Sequence, residues 1–307
     1  MLTRILLALT ARLPEPAVGV FVGGVARVLR RALRTRSDVS RAFLRQALGP
    51  GPEAELEQRV LQSWRHFLRV MIDSERLARL PSERLLEHFD VRWTEEARAL
   101  RDSGEGCVLL TAHVGNWEAS STIAPWLGFD PLYAVVKPIR SRPFSKLVQR
   151  SRERRGIRLL PRRGAMRSAF AVIEAGGAIG MLLDQRARVR PVLAPFFGRL
   201  ARCDRSAGVM LRRIKATVLI SACYLTERPL HYRLEFFDCI RPDEVQHASP
   251  EEIAARINAA YERMILRHPD QYFWLHDRYR DTPERLPEME AAAAPGRVSP
   301  GNPPLVE

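Results

Sequence analysis

The sequence CVLLTAHVGNWEASS, residues 107–121, has the pattern of a buried strand that leads through a tight turn into a helix. The apolar run Cys107–Ala112 predicts the strand, Gly115 and Asn116 predict the turn, and Trp117 begins the helix. A buried strand that passes directly into a helix is the repeating unit of α/β proteins with a parallel sheet.

The same alternation of short apolar runs and helical patterns extends along most of the chain. The predicted strands are 107–112, 132–136, 157–160, 178–183, 217–223 and 232–237, and the predicted helices are 117–127, 144–154, 165–175, 205–214 and 251–268. We therefore predict an α/β domain over residues 81–280, in which helices flank a largely parallel sheet.

Residues 1–80 have a helical pattern instead, which Pro81 ends. Residues 2–33 are apolar with a sparse rim of arginines, and the apolar run 17–26 is too short to span a bilayer. This composition is typical of a helix that lies in the membrane interface with its arginines toward anionic headgroups, and equally of a helix pair packed in a core. We predict an N-terminal helical, membrane-associating region.

The charge of the chain is concentrated in one segment. The 307 residues carry a net charge of +14, and residues 137–167, with twelve basic residues and one acid, account for +11 of it. A hydrophobic content of 46% is too high for a disordered protein, although the Pro-rich tail 281–307 is predicted to be disordered. The basic segment predicts an anionic partner: nucleic acid, anionic lipid or an acidic protein.

Several common kinds of site lack their sequence signature. The chain contains no G-x-S-x-G, no P-loop, no G-x-G-x-x-G and no C-x-x-C pair among its four cysteines. We therefore expect no metal, no nucleotide cofactor and no disulfide framework, and reduced thiols in a protein that faces the cytosol.

His113 is the main candidate for catalysis because it directly follows the strand 107–112. Catalytic groups of open α/β sheets gather at the carboxyl ends of the strands. Glu118, five residues on, could orient the imidazole and stabilise its protonated form, as a general base acting on a hydroxyl requires. The spacing equally fits a histidine that only caps the strand and a glutamate at the positive end of a helix, and both interpretations stay open at this point.

A second candidate region is GAIGMLLDQRARVRPVLAPFFGR, residues 177–199. Asp184 ends a predicted strand there, which places an acid near His113. Phe196 and Phe197 could line a groove for an alkyl chain, or they could simply pack in the core.

Five blocks of the sequence resemble the late (lauroyl/myristoyl) acyltransferases of lipid A biosynthesis. AHVGNWE, residues 112–118, resembles the H-x-x-x-x-E block of that family. The blocks LLPRRGAMRSA, LLDQ, PFFG and PDQYFWLHDRYRDTPE follow in the family's order, and the resemblance covers roughly residues 5–285.

The resemblance implies transfer of a fatty acyl chain from an acyl carrier protein thioester, or from coenzyme A, to a hydroxyl of an anionic glycolipid. The reaction would take place at the cytoplasmic face of the inner membrane, without a cofactor. His113 would be the general base with Glu118 as its partner, and Arg162 would contact phosphate or the developing oxyanion. The residues assigned to substrate binding are Asn116, Arg162, Arg163, Asp184, Phe196 and Phe197.

Two departures from the family pattern leave the acceptor open. Arg186 stands where the family commonly has a second acid, and Arg202–Ser206 replaces a small, hydroxyl-rich run. Related enzymes acylate other glycolipids, including mannosylated phosphatidylinositols. A nucleic-acid-binding protein is the alternative from another class, although the basic segment has few aromatic residues for base stacking. A catalytically inactive relative that binds only lipid or carrier protein is a third interpretation.

Overall fold

A seven-stranded mixed sheet forms the centre of the protein in a computed structural model that describes residues 9–136, 142–161 and 164–282. The described strands are β1 Phe89–Arg92, β2 Cys107–Thr111, β3 Leu132–Val136, β4 Arg158–Pro161, β5 Ala178–Leu182, β6 Val192–Phe196, β7 Arg199–Cys203, β8 Thr217–Leu225 and β9 Tyr232–Ile240. The sheet order is β1-β9-β8-β2-β5-β3-β4, and every neighbouring pair is parallel except β8 and β9. This confirms the α/β class with a largely parallel sheet.

Helices cover both faces of the sheet. The described α-helices are α1 Glu15–Ala32, α2 Arg34–Leu48, α3 Glu53–Leu77, α4 Glu95–Ser103, α5 Trp117–Ile123, α6 Arg142–Glu153, α7 Ala165–Glu174, α8 Arg205–Ile214, α9 Pro242–Val245 and α10 Pro250–Arg267. Alternate residues of β2 face opposite layers, because side chains alternate along a strand. Val108 and Leu110 belong to the core cluster that includes α7, α8 and α10, whereas Cys107 and Leu109 belong to the one that includes α4.

Each predicted strand and helix after residue 107 is present within a few residues of its predicted bounds. Three elements of the structure are not among the predicted ones: α4, the short edge strand β1, and the antiparallel hairpin β6–β7, which lies outside the main sheet. The hairpin was difficult to recognise because β6 contains Pro195 and β7 contains two arginines, residues that are unusual in strands.

The N-terminal helices share a core with the α/β region. Phe43 of α2 makes edge-to-face contacts with five aromatic rings, those of Phe196, Phe197, Tyr272, Trp274 and Tyr279. The ring centroids lie 4.9–6.3 Å apart, which is the range in which aromatic pairs stabilise each other. This contact fastens α2 to the hairpin β6–β7 and to the chain that follows α10.

In the described part of the chain, no helix combines the length and the apolar character that a bilayer span requires. Helix α1 buries Val18, Val22 and Ala26 but leaves Val20 78% exposed and Val28 64% exposed. Membrane association of the N-terminal region remains a prediction, and so does the division into residues 1–80, 81–280 and 281–307. The predicted disordered tail lies outside the described residues from 283 onward.

We predict that Phe43→Ala lowers the free energy of unfolding by about 3–5 kcal/mol, because it removes a buried ring from the aromatic cluster. Chemical denaturation followed by circular dichroism measures this loss. The exposed Val28→Ala variant of α1 serves as the control and should change stability by less than about 0.5 kcal/mol. A Phe43→Ala protein as stable as the control would show that the cluster does not hold the helical layer.

Candidate active site

A tight turn at the carboxyl edge of the sheet carries His113 from β2 to the start of α5. Gly115 has φ +57°, and a Cβ atom there would lie 2.1 Å from the carbonyl oxygen of Cys223 in β8, so the turn requires glycine. Asn116, which we had assigned to substrate binding, is fully buried and caps α5: its Oδ1 accepts a hydrogen bond of 3.0 Å from the Ala119 amide.

The imidazole of His113 is hydrogen-bonded to Asp184, which follows β5, the strand beside β2. The distance between His113 Nδ1 and Asp184 Oδ1 is 2.8 Å, and the backbone amide of His113 donates to Asp184 Oδ2 at 3.0 Å. Burial alone would raise the pKa of Asp184, but the His113 imidazole and these two hydrogen bonds lower it to about 2. Since an ionised carboxylate only accepts hydrogen bonds, Nδ1 carries a proton and donates a hydrogen bond to Asp184, so Nε2 is the nitrogen that is left for other partners.

The other nitrogen of His113 faces Gln185. The Nε2 atom of His113 lies 3.3 Å from the side-chain amide nitrogen of Gln185.

His276 contacts the next residue along the chain. Its Nε2 accepts a 2.8 Å hydrogen bond from the backbone amide of Arg186. Burial lowers the pKa of His276 to about 3, so this ring is neutral and can accept. His276 therefore fixes the backbone of the chain directly after Asp184 and Gln185.

Glu118 does not fill the place that we had assigned to it beside His113. Its carboxylate forms a bidentate pair with Arg152 of α6, with Nε–Oε2 3.0 Å and Nη2–Oε1 2.6 Å. Burial would raise the pKa of Glu118, but Arg152 and then Arg155 lower it. The carboxylate hydrogen-bonded to His113 is that of Asp184, because Glu118 on α5 points toward the arginine-rich helix.

Arg155, just after α6, strengthens the contact between α5 and α6. Its Nη1 donates to Thr122 Oγ1 at 2.8 Å, and its Nη2 donates to the carbonyl oxygen of Ser74 in α3. Part of the basic segment is therefore internal: Arg152 and Arg155 hold α6 to the helices around the site. Lys146, Arg150 and Arg154 remain exposed to solvent.

Two cavities lie near the His113–Asp184 pair, one on each face of the sheet. The larger, of about 760 Å³, begins at Gln185 and has an apolar floor between β5, α7 and α8. The apolar residues of its floor include Met166, Phe170, Met181, Leu183 and Met210, and the polar residues of its rim include Arg167, Arg186 and Ser206. The smaller, of about 60 Å³, is lined by Trp117, Gly180 and other mostly apolar residues beneath α5.

The remaining predicted site residues are elsewhere. Phe196 and Phe197 are buried in the aromatic cluster around Phe43 and line neither cavity, so the core-packing interpretation is the one that the structure bears out. Arg162 and Arg163 lie outside the described residues. The described residues contain no cluster of three or more His, Cys, Asp or Glu side chains able to hold a metal ion.

The partners of both acids are absent from the predictions. The sequence predicts Asp184 near His113, but only the adjacency of β5 and β2 brings its carboxylate to the imidazole. The contact between Glu118 and Arg152 joins residues 34 positions apart, and nothing in the local pattern selects Arg152 from the other arginines of its segment.

We predict that Glu118→Ala lowers the free energy of unfolding by about 3–5 kcal/mol, because it leaves Arg152 buried without its carboxylate. The double variant Glu118→Leu/Arg152→Met removes both charges and should recover most of that loss. Glu55→Ala breaks an exposed pair with Arg59 and provides the control, with an expected change below about 1 kcal/mol. If Glu118→Ala is no less stable than this control, the pair does not hold α6.

We also predict that the protein loses stability in mild acid through its buried neutral histidines. Burial lowers the pKa of His66 to about 4, while its Nε2 donates to the carbonyl oxygen of Gly115 at 2.9 Å. In the unfolded chain, His66 has the ordinary histidine pKa of about 6.5 and is protonated below it, whereas in the folded protein it stays neutral until about pH 4. The free energy of unfolding therefore falls by about 2 kcal/mol between pH 7 and pH 5.

His276, with its pKa of about 3, adds a loss of the same sign and size. Denaturant titrations at several pH values test both contributions. In His66→Gln, whose amide can also donate to Gly115, the decline between pH 7 and pH 5 should be smaller by about 2 kcal/mol. An equally steep decline in this variant would contradict the assignment.

The comparisons with known proteins identify the family of the chain. Residues 1–281 match the family described as bacterial lipid A biosynthesis acyltransferase. The chain is 22% identical to a lipid A biosynthesis palmitoleoyltransferase of Escherichia coli (strain K12), over 90% of this chain and 89% of that protein. It is 26% identical to a phosphatidylinositol mannoside acyltransferase of Mycolicibacterium smegmatis (strain ATCC 700084 / mc(2)155), over 54% of this chain and 53% of that protein.

Since the family match extends over most of the chain, it confirms the resemblance first seen in AHVGNWE and the blocks that follow it. The match also includes the β2 and β5 strand ends that bring His113 and Asp184 together. The chain therefore belongs to the bacterial lipid A biosynthesis acyltransferase family and is an acyltransferase.

Proposed function

We propose that the protein transfers a fatty acyl chain from an acyl carrier protein thioester to a hydroxyl of a lipid A precursor or a related glycolipid. The observation that carries this proposal is the hydrogen bond between His113 Nδ1 and Asp184, which turns Nε2 toward Gln185 beside the large cavity. An acceptor hydroxyl that displaces the Gln185 amide from Nε2 would then give its proton to that nitrogen. Membership of the acyltransferase family supports the reaction type, and the chemistry of the pair supports the role of His113 as general base.

In the proposed reaction, Nε2 of His113 takes the proton of the acceptor hydroxyl as the hydroxyl oxygen attacks the thioester carbonyl carbon. Asp184 remains ionised and stabilises the imidazolium that forms. When the tetrahedral intermediate collapses, the carbon–sulfur bond breaks, and the imidazolium returns its proton to the departing thiolate. The side-chain amide of Gln185, which lies 3.3 Å from Nε2 in the absence of substrate, would turn to donate a hydrogen bond to the oxyanion.

The large cavity would receive the lipid substrates. Its floor of Met166, Phe170 and Met210 suits a flexible alkyl chain, since methionine adapts to irregular apolar shapes. Arg167 and Arg186 at its rim would bind phosphate groups of the acceptor. The relative that acylates a phosphatidylinositol mannoside keeps a second class of anionic glycolipid acceptor open.

The exposed charge suits the partners of this reaction. The exposed residues Lys146, Arg150 and Arg154 form a basic face on and beside α6 that would dock the acidic carrier protein. On α1, the exposed Val28 is next to the exposed Arg27, and the exposed Val20 lies about two turns earlier, as in helices that rest on an anionic membrane surface. We therefore place the enzyme at the cytoplasmic face of the inner membrane; the alternative of a nucleic-acid-binding protein has no support from the family match.

We predict that His113→Asn and Asp184→Asn each lower kcat by about 10²–10⁴, because they remove the base or the group that orients it. The assay supplies acylated carrier protein and a lipid A precursor and detects the added acyl group by mass spectrometry. Circular dichroism verifies that the variants are folded. The control is His247→Gln, because His247 is exposed and far from His113 in the sequence.

Mass spectrometry of membrane glycolipids from cells with and without the gene identifies the acceptor. The proposal expects one glycolipid to gain the mass of one acyl group when the gene is present. Full acyl transfer by His113→Asn would refute the mechanism, and unchanged glycolipids together with inactivity on acylated carrier protein would refute the function.

A further inference from the structure

The loop 186–191 between β5 and β6 presents an apolar side chain to solvent between two arginines. Val189 is 74% exposed, and its neighbours Arg188 and Arg190 are exposed as well. On the outer face of β6, which follows directly, Leu193 is 41% exposed. A single exposed apolar residue is ordinary, but exposed apolar side chains rimmed by charged ones are the pattern of a surface that contacts a membrane or a protein.

The base of this loop is held firmly while its tip projects. The amide of Arg186 is fixed by His276 at 2.8 Å, and the amide of Ala187 donates to the carbonyl oxygen of Arg202 in β7 at 3.0 Å. Arg190 has φ +41°, a conformation that costs energy for a residue with a side chain and that turns the chain back into β6. The turn therefore holds Val189 outward against a local conformational preference.

The charges at the tip are available to a partner. Arg186 pairs with Asp281 at 2.8 Å, whereas the ion pairs found among the described residues engage neither Arg188 nor Arg190. An apolar tip flanked by two unpaired arginines matches the membrane interface, where the apolar group enters the acyl boundary and the guanidinium groups meet anionic phosphates. An acidic protein would match the arginines but would leave Val189 without an apolar environment.

The position of the loop connects this surface to the proposed chemistry. The loop begins directly after Gln185, which lies beside His113 Nε2, and Arg186 and Ala187 line the large cavity. Contact between the loop and a bilayer would set the opening of that cavity against the lipid surface. A lipid acceptor could then enter without crossing water.

We propose that the loop 186–191 is a membrane contact in which Val189 enters the lipid interface and Arg188 and Arg190 bind anionic headgroups. This inference extends the proposed function, because it adds a second membrane contact to that of α1 and places it at the mouth of the site. The contact would present the acceptor lipid to His113.

Vesicle binding by the full chain tests the contact independently of acyl transfer. Vesicles of phosphatidylcholine containing phosphatidylglycerol are titrated with the wild type, Val189→Asp and Arg188→Gln/Arg190→Gln. Since each arginine near an anionic surface contributes about a fivefold factor in affinity, we expect the double variant to bind about 25-fold more weakly. Val189→Asp should weaken binding about tenfold, because a carboxylate does not enter the interface.

Trp126→Asp is the matched control. Trp126 is 47% exposed in the short 3₁₀ helix Ala124–Leu127, which leads toward the amino end of β3 and hence the edge of the sheet opposite His113. This variant should bind vesicles as the wild type does. In addition, Val189→Cys carrying an environment-sensitive dye should show a blue-shifted emission on vesicles; the half-buried Cys239 is replaced by Ser for this measurement.

The outcomes separate this inference from the proposed function. Wild-type vesicle affinity in Val189→Asp, or no dye shift at position 189, would overturn the membrane contact while leaving acyl transfer unaffected. Weaker binding of a polyglutamate probe by Arg188→Gln/Arg190→Gln, with unchanged vesicle binding, would overturn it in favour of an acidic protein partner. With acceptor dispersed in detergent, Val189→Asp should keep wild-type activity; absence of acyl transfer in the wild type itself would count against the proposed function alone.

Discussion

The buried carboxylate of Asp184 joins the ends of two neighbouring parallel strands, and the geometry of the site depends on it. It accepts hydrogen bonds from the backbone amide and from Nδ1 of His113, and Tyr272 Oη donates to it at 3.3 Å. A carboxylate can stay ionised in the interior only with such donors around it, and the imidazole and the two hydrogen bonds of His113 lower the pKa of Asp184 to about 2. The same contacts determine the tautomer of His113 and the direction in which Nε2 faces.

The surrounding structure serves to keep this pair in register. On one side, Gly115 allows the chain to pass within contact of β8, and His66 of α3 binds the carbonyl oxygen of that glycine. On the other side, His276 holds the amide of Arg186 directly after the Asp184–Gln185 sequence. The helical N-terminal layer and the chain after α10 thus both contact the short segments that carry the two functional groups, and the aromatic cluster around Phe43 links these two regions.

Three features could be predicted from the sequence: the strand–helix order, the position of His113 at the carboxyl edge of the sheet, and the presence of Asp184 near it. They follow from local apolar runs and from the general geometry of parallel sheets. It did not allow the pairing of the acids to be predicted. Glu118 is five residues from His113 but lies on a helix facing α6, whereas Asp184 is 71 residues away and reaches His113 through the adjacency of β2 and β5. Strand order is a tertiary property, which a local pattern does not contain. For the same reason, the sequence does not show which arginines of the basic segment 137–167 face a partner. Arg152 and Arg155 instead contact Glu118 and Thr122 of α5.

A double-mutant cycle on kcat/KM tests most directly whether Asp184 acts through His113. The cycle combines Asp184→Asn with His113→Asn, and a parallel cycle replaces Asp184→Asn by Glu118→Gln. If the imidazole is the only group through which Asp184 acts, Asp184→Asn should cause little further loss in the His113→Asn background, while the effect of Glu118→Gln should persist there unchanged. Full additivity of the Asp184 and His113 substitutions, together with coupling between Glu118 and His113, would contradict this account and return Glu118 to the imidazole.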